Sequence, residues 1–127
     1  MRILLNWLLL LAWIAIILST SNDTMSSPNT GSFLARILGF LTPGQLAAVN
    51  FLLRKLTHIV AYGILGALAF RAVRRTSVGV PLAIACAVAI TDETLQATTM
   101  LRGGNAGDVL LDTIAAAIFI LFLRRRE

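Results

Sequence analysis

With 127 residues, 57% of them hydrophobic and 13% charged, the chain carries a formal net charge of +5. That composition excludes an ordinary soluble globule and reads as a single membrane domain over residues 1–127. Its pI of about 11.1 would suit nucleic acid. Most basic residues instead flank apolar runs, where they act as topology signals and lipid-headgroup contacts, so membrane lipids are the expected partners and nucleic acid is not.

Ile3 to Leu18 is almost wholly Leu, Ile, Ala and Trp after Arg2. It is near the lower limit for a membrane span. A cleaved signal peptide is the rival reading, with Ser19-Thr20-Ser21 as the small residues after an apolar segment. The length of the run and its two tryptophans favour a retained first span, 3–18. Ser19 to Ser32 is rich in Ser, Asn and Thr, contains Pro28 and Gly31, and reads as a loop. Phe33 to Leu41 is apolar around Arg36 but too short to cross, so a short interfacial helix is expected there.

Thr42-Pro43-Gly44-Gln45 signals a helix start. Thr42 can cap, Pro43 suits the first turn, and Gln45 completes a capping box. No proline interrupts the chain from there to Val73. At 1.5 Å per residue this helix is roughly 46 Å long, more than one simple crossing needs. An amphipathic lead-in over Gln45–Leu53 is expected, followed by the second span, 56–73. Gly63, Gly66, Ala67 and Ala69 give that span a face of small residues for close helix approach. The third span is expected at 78–99, with Pro81 near its start, and the fourth at 106–123, closed by Arg124-Arg125-Arg126. Between them Arg102-Gly103-Gly104-Asn105 reads as a turn. The expected fold is therefore all-α, an integral membrane bundle of four transmembrane helices plus one short interfacial helix. Cys86 is the sole cysteine, so it makes no intrachain disulfide and reads as a small hydrophobe.

Arg71, Arg74, Arg75 and the Arg124–Arg126 tail place one side of the bundle in the cytoplasm by the positive-inside rule, with both termini there. Arg36, Arg54 and Lys55 then fall outside, against the trend, which marks them for a role other than topology.

The third span contains Thr91-Asp92-Glu93-Thr94-Leu95-Gln96. Its purely apolar part, Val78 to Ile90, makes only about 20 Å of helix. The crossing is completed only by drawing Asp92, Glu93 and Gln96 against hydrocarbon, where an ionised group costs at least about 2.5–3.5 kcal/mol. Such groups persist when paired, hydrated or functional. The topology puts Arg54, Lys55 and His58 at the same outer depth, with Asp92, Glu93 and Gln96, Arg102, and Asp108 and Asp112 alongside. His58 and Tyr62, Asp92 and Gln96, and Asp108 and Asp112 are each i, i+4 pairs, and each pair shares a helix face. Asp108 and Asp112 repel on an isolated helix. Lys55, Arg54, Arg102, a protonated His58 or a metal ion are the cations that would offset them.

The candidate catalytic residues are His58, Asp92 and Glu93, as proton carriers. The candidate substrate-binding residues are Arg54, Lys55, Tyr62, Gln96, Arg102, Asp108 and Asp112. Plainer roles stand beside these. A carboxylate network can simply fix helix register, His58 can be a packing residue, and Tyr62 an interface anchor. No HExxH or paired-His spacing is present, so no metal site is assigned and no cofactor is identified. The sequence also lacks a phosphate-binding loop and a dinucleotide fingerprint.

These residues, in this order, resemble the VanZ-like family of bacterial membrane proteins. The matching stretches are Arg54-Lys55-Leu56-Thr57-His58, then Tyr62 and Leu65-Gly66; Ile90-Thr91-Asp92-Glu93, then Gln96; Arg102; and Asp108-Val109-Leu110-Leu111-Asp112-Thr113. The resemblance covers about 54–123. The family pattern has Glu before the tyrosine, where Ala61 stands, and Pro-Gly before the arginine, where Met100-Leu101 stands. The family's founding member is associated with resistance to the glycopeptide teicoplanin, and most relatives carry no assigned activity. The resemblance implies a multi-pass protein of the bacterial cytoplasmic (inner) membrane, and no reaction.

Three functional classes follow. The first is a polar site at the outer face that binds or acts on an envelope component, such as a lipid-linked or cell-wall-related anionic headgroup. The second is a small proton-coupled transporter subunit. The third is a structural accessory subunit of an envelope complex. Four spans hold no inverted repeat for alternating access, so transport would require an oligomer.

Overall fold

The structure, a computed structural model, describes residues 1–20, 27–73, 77–98 and 105–126. Five helices follow in order: α1 (Arg2–Thr20), α2 (Ser27–Ile37), α3 (Pro43–Ala72), α4 (Gly79–Ala97) and α5 (Ala106–Arg124). Among the described residues there is no strand. Four of the helices, α1, α3, α4 and α5, are long and apolar enough to cross a membrane. They coincide with the expected spans to within a few residues at most ends. The exception is the start of α3, which carries the expected lead-in.

The short helix between the first two spans is present but displaced. It covers Ser27–Ile37, not Phe33–Leu41, so the expected loop stops short of Ser32. Pro28 explains the early start, because a proline in the first turn removes an N–H that has no intrahelical partner anyway. Beyond Ile37 the chain turns, with Leu41 N–H donating to the Leu38 carbonyl at 2.9 Å. That turn delivers Thr42 to the head of α3. There the capping box forms as expected: Gln45 N–H donates to Thr42 Oγ1 at 3.3 Å, and Thr42 N–H donates to Gln45 Oε1 at 2.9 Å.

α3 is the element against which all the others pack. α1 runs antiparallel to it and is tied at two heights. Trp13 Nε1–H donates to the Ala61 carbonyl at 2.9 Å, and Asn6 Nδ2–H to the Arg71 carbonyl at 3.3 Å. α5 runs parallel to α3, as the second and fourth of four alternating crossings must. A Cβ on Gly66 would lie 2.7 Å from the Ala116 carbonyl oxygen, so the two backbones touch there. Gly63 faces the Phe119 ring in the same way, at 2.6 Å. Lipid tails are as apolar as leucine, so such close packing replaces the hydrophobic drive that assembles soluble bundles. Leu65 and Ala69 of α3, Ala85 and Ala89 of α4 and Ala116 of α5 are fully buried in the core between these helices. Large apolar side chains such as Leu4, Leu8, Val60, Ile90, Ile118 and Phe122 point outward. An apolar exterior of this kind is what a hydrocarbon solvent requires.

Candidate functional site

Because α3 and α5 are parallel, residues spaced by four on one helix meet residues spaced by four on the other. Arg54 meets Asp108 and His58 meets Asp112, each pair 54 positions apart in the chain. This register resolves the repulsion expected between the two aspartates, because each has its own partner.

The first pair forms the rim of the site. Arg54 Nη2 lies 3.3 Å from Asp108 Oδ2, and Lys55 Nζ donates to Asp108 Oδ1. The carboxylate is 2% exposed, while Arg54 and Lys55 remain 28% and 24% exposed. Two cations therefore share one anion, and both keep a route to the surroundings. Asp108 also sits in the first turn of α5, where the helix dipole favours a negative charge. The Lys55 ammonium lies 5.4 Å from the centre of the Phe51 ring, a cation–π contact one turn earlier on α3.

One turn further along lies a buried layer. His58 Nδ1 is 3.0 Å from both Asp112 oxygens, and Asp112 is fully buried. The Tyr62 ring lies nearly parallel to the His58 ring, at 9° and 6.2 Å between centres. Tyr62 Oη–H donates to Asp92 Oδ2 at 3.0 Å, and Gln96 Nε2–H donates to Asp92 Oδ1 at 3.0 Å. Thus α4 joins α3 through Asp92, and α3 joins α5 through His58. The spacing of four between Asp92 and Gln96 is what lets one side chain brace the other.

Glu93 turns to a different task. Its Oε2 accepts the backbone N–H of Asn105 at 2.6 Å, just ahead of α5. Asn105 in turn caps α5, its side-chain oxygen accepting Gly107 N–H at 2.9 Å. Glu93 so sets where α5 begins, and with it the heights of Asp108 and Asp112. Its other oxygen, Oε1, is buried and has no hydrogen-bond partner among the described residues.

The structure brings Arg54, Lys55, His58, Tyr62, Asp92, Glu93, Gln96, Asp108 and Asp112 to one end of the α3–α4–α5 bundle. Arg102 lies outside the described residues, as do Arg74 and Arg75. Two contributors escaped the sequence reading. Asn105 had a signal, an Asn just before an acidic first turn and an apolar run. Trp13 had none, because its acceptor is a backbone carbonyl. Chemically, the rim offers a guanidinium fork and an ammonium to an anion. The buried layer offers an imidazole oriented by a carboxylate, the arrangement of a general base.

No curated protein and no solved structure matches the chain. A family match covers residues 6–126, including the first span and the polar leader as well as the stretch from Arg54 onward. With nearly its whole length matched and the characteristic basic and acidic residues gathered at one end of the bundle, the chain belongs to the VanZ/LLP1 family of multi-pass membrane proteins.

Proposed function

We propose that the chain binds a lipid-linked or cell-wall-related anionic headgroup at the outer face of the bacterial cytoplasmic membrane, with both termini in the cytoplasm. The observation that carries this reading is the rim. Arg54 and Lys55 converge on a single buried carboxylate and are each about a quarter exposed. A lone aspartate offsets one of the two positive charges and holds both side chains in place. The surplus charge is then available to a phosphate or carboxylate, and the ordering entropy of two long side chains is already spent in the free protein. The positive-inside rule makes a basic pair on the outer side unfavourable for topology alone, which supports a ligand there.

The test uses the chain in nanodiscs with a polyisoprenyl phosphate as probe and the matching polyisoprenol as control. Selective retention of the phosphate, weakened at least tenfold in the Arg54→Ala/Lys55→Ala double variant, is the expected result. Equal retention of the neutral alcohol, or no effect of the double variant, overturns the reading.

Proton transfer is a second reading, favoured by one observation. His58, Asp112, Tyr62, Asp92 and Gln96 form a buried row across three helices. In this reading His58, with Asp92 or Glu93, carries protons. Liposomes holding the protein and a pH-sensitive dye decide it. A proton flux lost in His58→Ala supports transfer, and no flux under an imposed gradient removes it.

A further inference from the structure

We infer that the buried layer is a binding site for one divalent transition-metal ion, held by His58, Asp92 and Asp112. This does not rest on the headgroup reading, which concerns the rim residues one turn away.

The geometry is the first support. A ring nitrogen of His58 and one carboxylate oxygen from each aspartate all lie within 4.8 Å of one another. The three residues come from α3, α4 and α5, so no local sequence spacing announces them. His58 Nδ1 stands 3.0 Å from both oxygens of Asp112. Neighbouring corners of an octahedron with metal–ligand bonds of about 2.1 Å are about 3.0 Å apart, and opposite corners about 4.2 Å. Asp112 and His58 therefore already have the spacing of adjacent ligands. The spread of up to 4.8 Å exceeds that of opposite corners, so the Asp92 side chain must move inward to join the same shell.

Charge is the second support. Arg54 and Lys55 are both engaged at Asp108. The buried layer contains two aspartates and one imidazole at 4%, 0% and 9% exposure. The layer so sets two carboxyl groups against one imidazole, an excess of acidic ligands that a divalent ion offsets. Glu93, next to Asp92 on α4 and 6% exposed, stands outside the three-residue group, and its Oε1 has no donor among the described residues. A buried acceptor of that kind calls for a water or an ion nearby.

The outer partners are the third. Tyr62 and Gln96 each donate to Asp92, one to each oxygen, which fixes the carboxylate plane. Metal-ligating carboxylates are ordinarily held by such hydrogen bonds. One imidazole with two carboxylates suits Zn²⁺ or Mn²⁺ over Mg²⁺, which prefers all-oxygen shells and keeps its waters. An ion here would occupy His58 and take it out of proton transfer, so metal binding and the relay are competing uses of the same layer.

The experiment starts from chelator-stripped protein in detergent, titrated with Zn²⁺, Mn²⁺ or Mg²⁺ and desalted before elemental analysis. One Zn²⁺ or Mn²⁺ per chain is expected. His58→Ala and Asp112→Asn should reduce it to background, and Tyr62→Phe should weaken it roughly tenfold or more. Lys55→Gln should leave it intact while weakening headgroup retention, which separates the two proposals. Because the aspartate variant can fail to fold, unmodified protein loaded with Mn²⁺ is also read by pulsed electron paramagnetic resonance. Modulation from a single imidazole nitrogen is expected. Substoichiometric metal, metal that survives both ligand variants, or Mn²⁺ without nitrogen coupling overturns the proposal.

Discussion

Along α3, the stretch from Arg54 to Tyr62 and the stretch from Gly63 to Ala72 meet their neighbours by different physics. In the second stretch the contact is steric. Gly66 admits the Ala116 backbone, Gly63 admits the Phe119 ring, and Leu65, Ala69 and Ala116 are fully buried beside them. In the first stretch the contact is polar: Asp108 with Arg54 and Lys55, Asp112 with His58, Asp92 with Tyr62. Close packing joins α3 to α5 over the glycine stretch, whereas hydrogen bonds and ion pairs join them over the other.

This contrast makes predictions, the largest at the steric end. Gly66→Leu puts a branched side chain where even a Cβ meets backbone at 2.7 Å. It should separate α3 from α5 and abolish accumulation of folded protein, seen as loss of a cysteine crosslink engineered between the two helices. Survival of that crosslink would place the cohesion of the bundle in its polar end instead.

Asp112→Ala comes next. It leaves a buried imidazole without its carboxylate, at a cost of about 1–3 kcal/mol, read as a lower unfolding midpoint in denaturing mixed micelles. Asp112→Asn should recover part of that loss, since an amide keeps a hydrogen-bonding oxygen beside His58. If both variants are as stable as the parent, the buried layer contributes nothing to cohesion, and the division between the two ends becomes sharper.

The smallest effect is expected from Trp13→Phe, which takes part in none of the polar pairs between α3 and α5. It removes one interhelical hydrogen bond, that from the indole to the Ala61 carbonyl. Such bonds average roughly 0.6 kcal/mol within membranes. A loss several times larger in the same micelle assay would show that α1 contributes more to α3 than one bond and a few side-chain contacts.

The sequence made most of this architecture legible for a simple reason: hydrocarbon is an undemanding solvent to read. Long apolar runs mark crossings, and Thr42 with Gln45 marks a helix head whose bonds then form as their spacing requires. The gathering of the acids at one end of the bundle was legible too, because alternating spans fix which ends fall together. Which partner each acid takes was not. Asp108 and Asp112 had several candidate cations, and only the parallel register of α3 and α5 assigns Arg54 and Lys55 to one and His58 to the other. The bond from Glu93 to the Asn105 amide was invisible because a backbone N–H leaves no mark in sequence. The start of α2 was misplaced because Ser, Asn and Pro serve equally well in a loop and in a first helical turn.

α3 is 30 residues long, and Arg54 and Lys55 stand 11 and 12 positions past its first residue, Pro43. That offset is roughly 18 Å of helix, so a mast of ordinary protein rises over the rim, with α2 braced against it. On the proposed headgroup reading, the overhang would make the direction of approach part of the selection: a molecule moving within the bilayer plane would meet Arg54 and Lys55 without passing the lead-in.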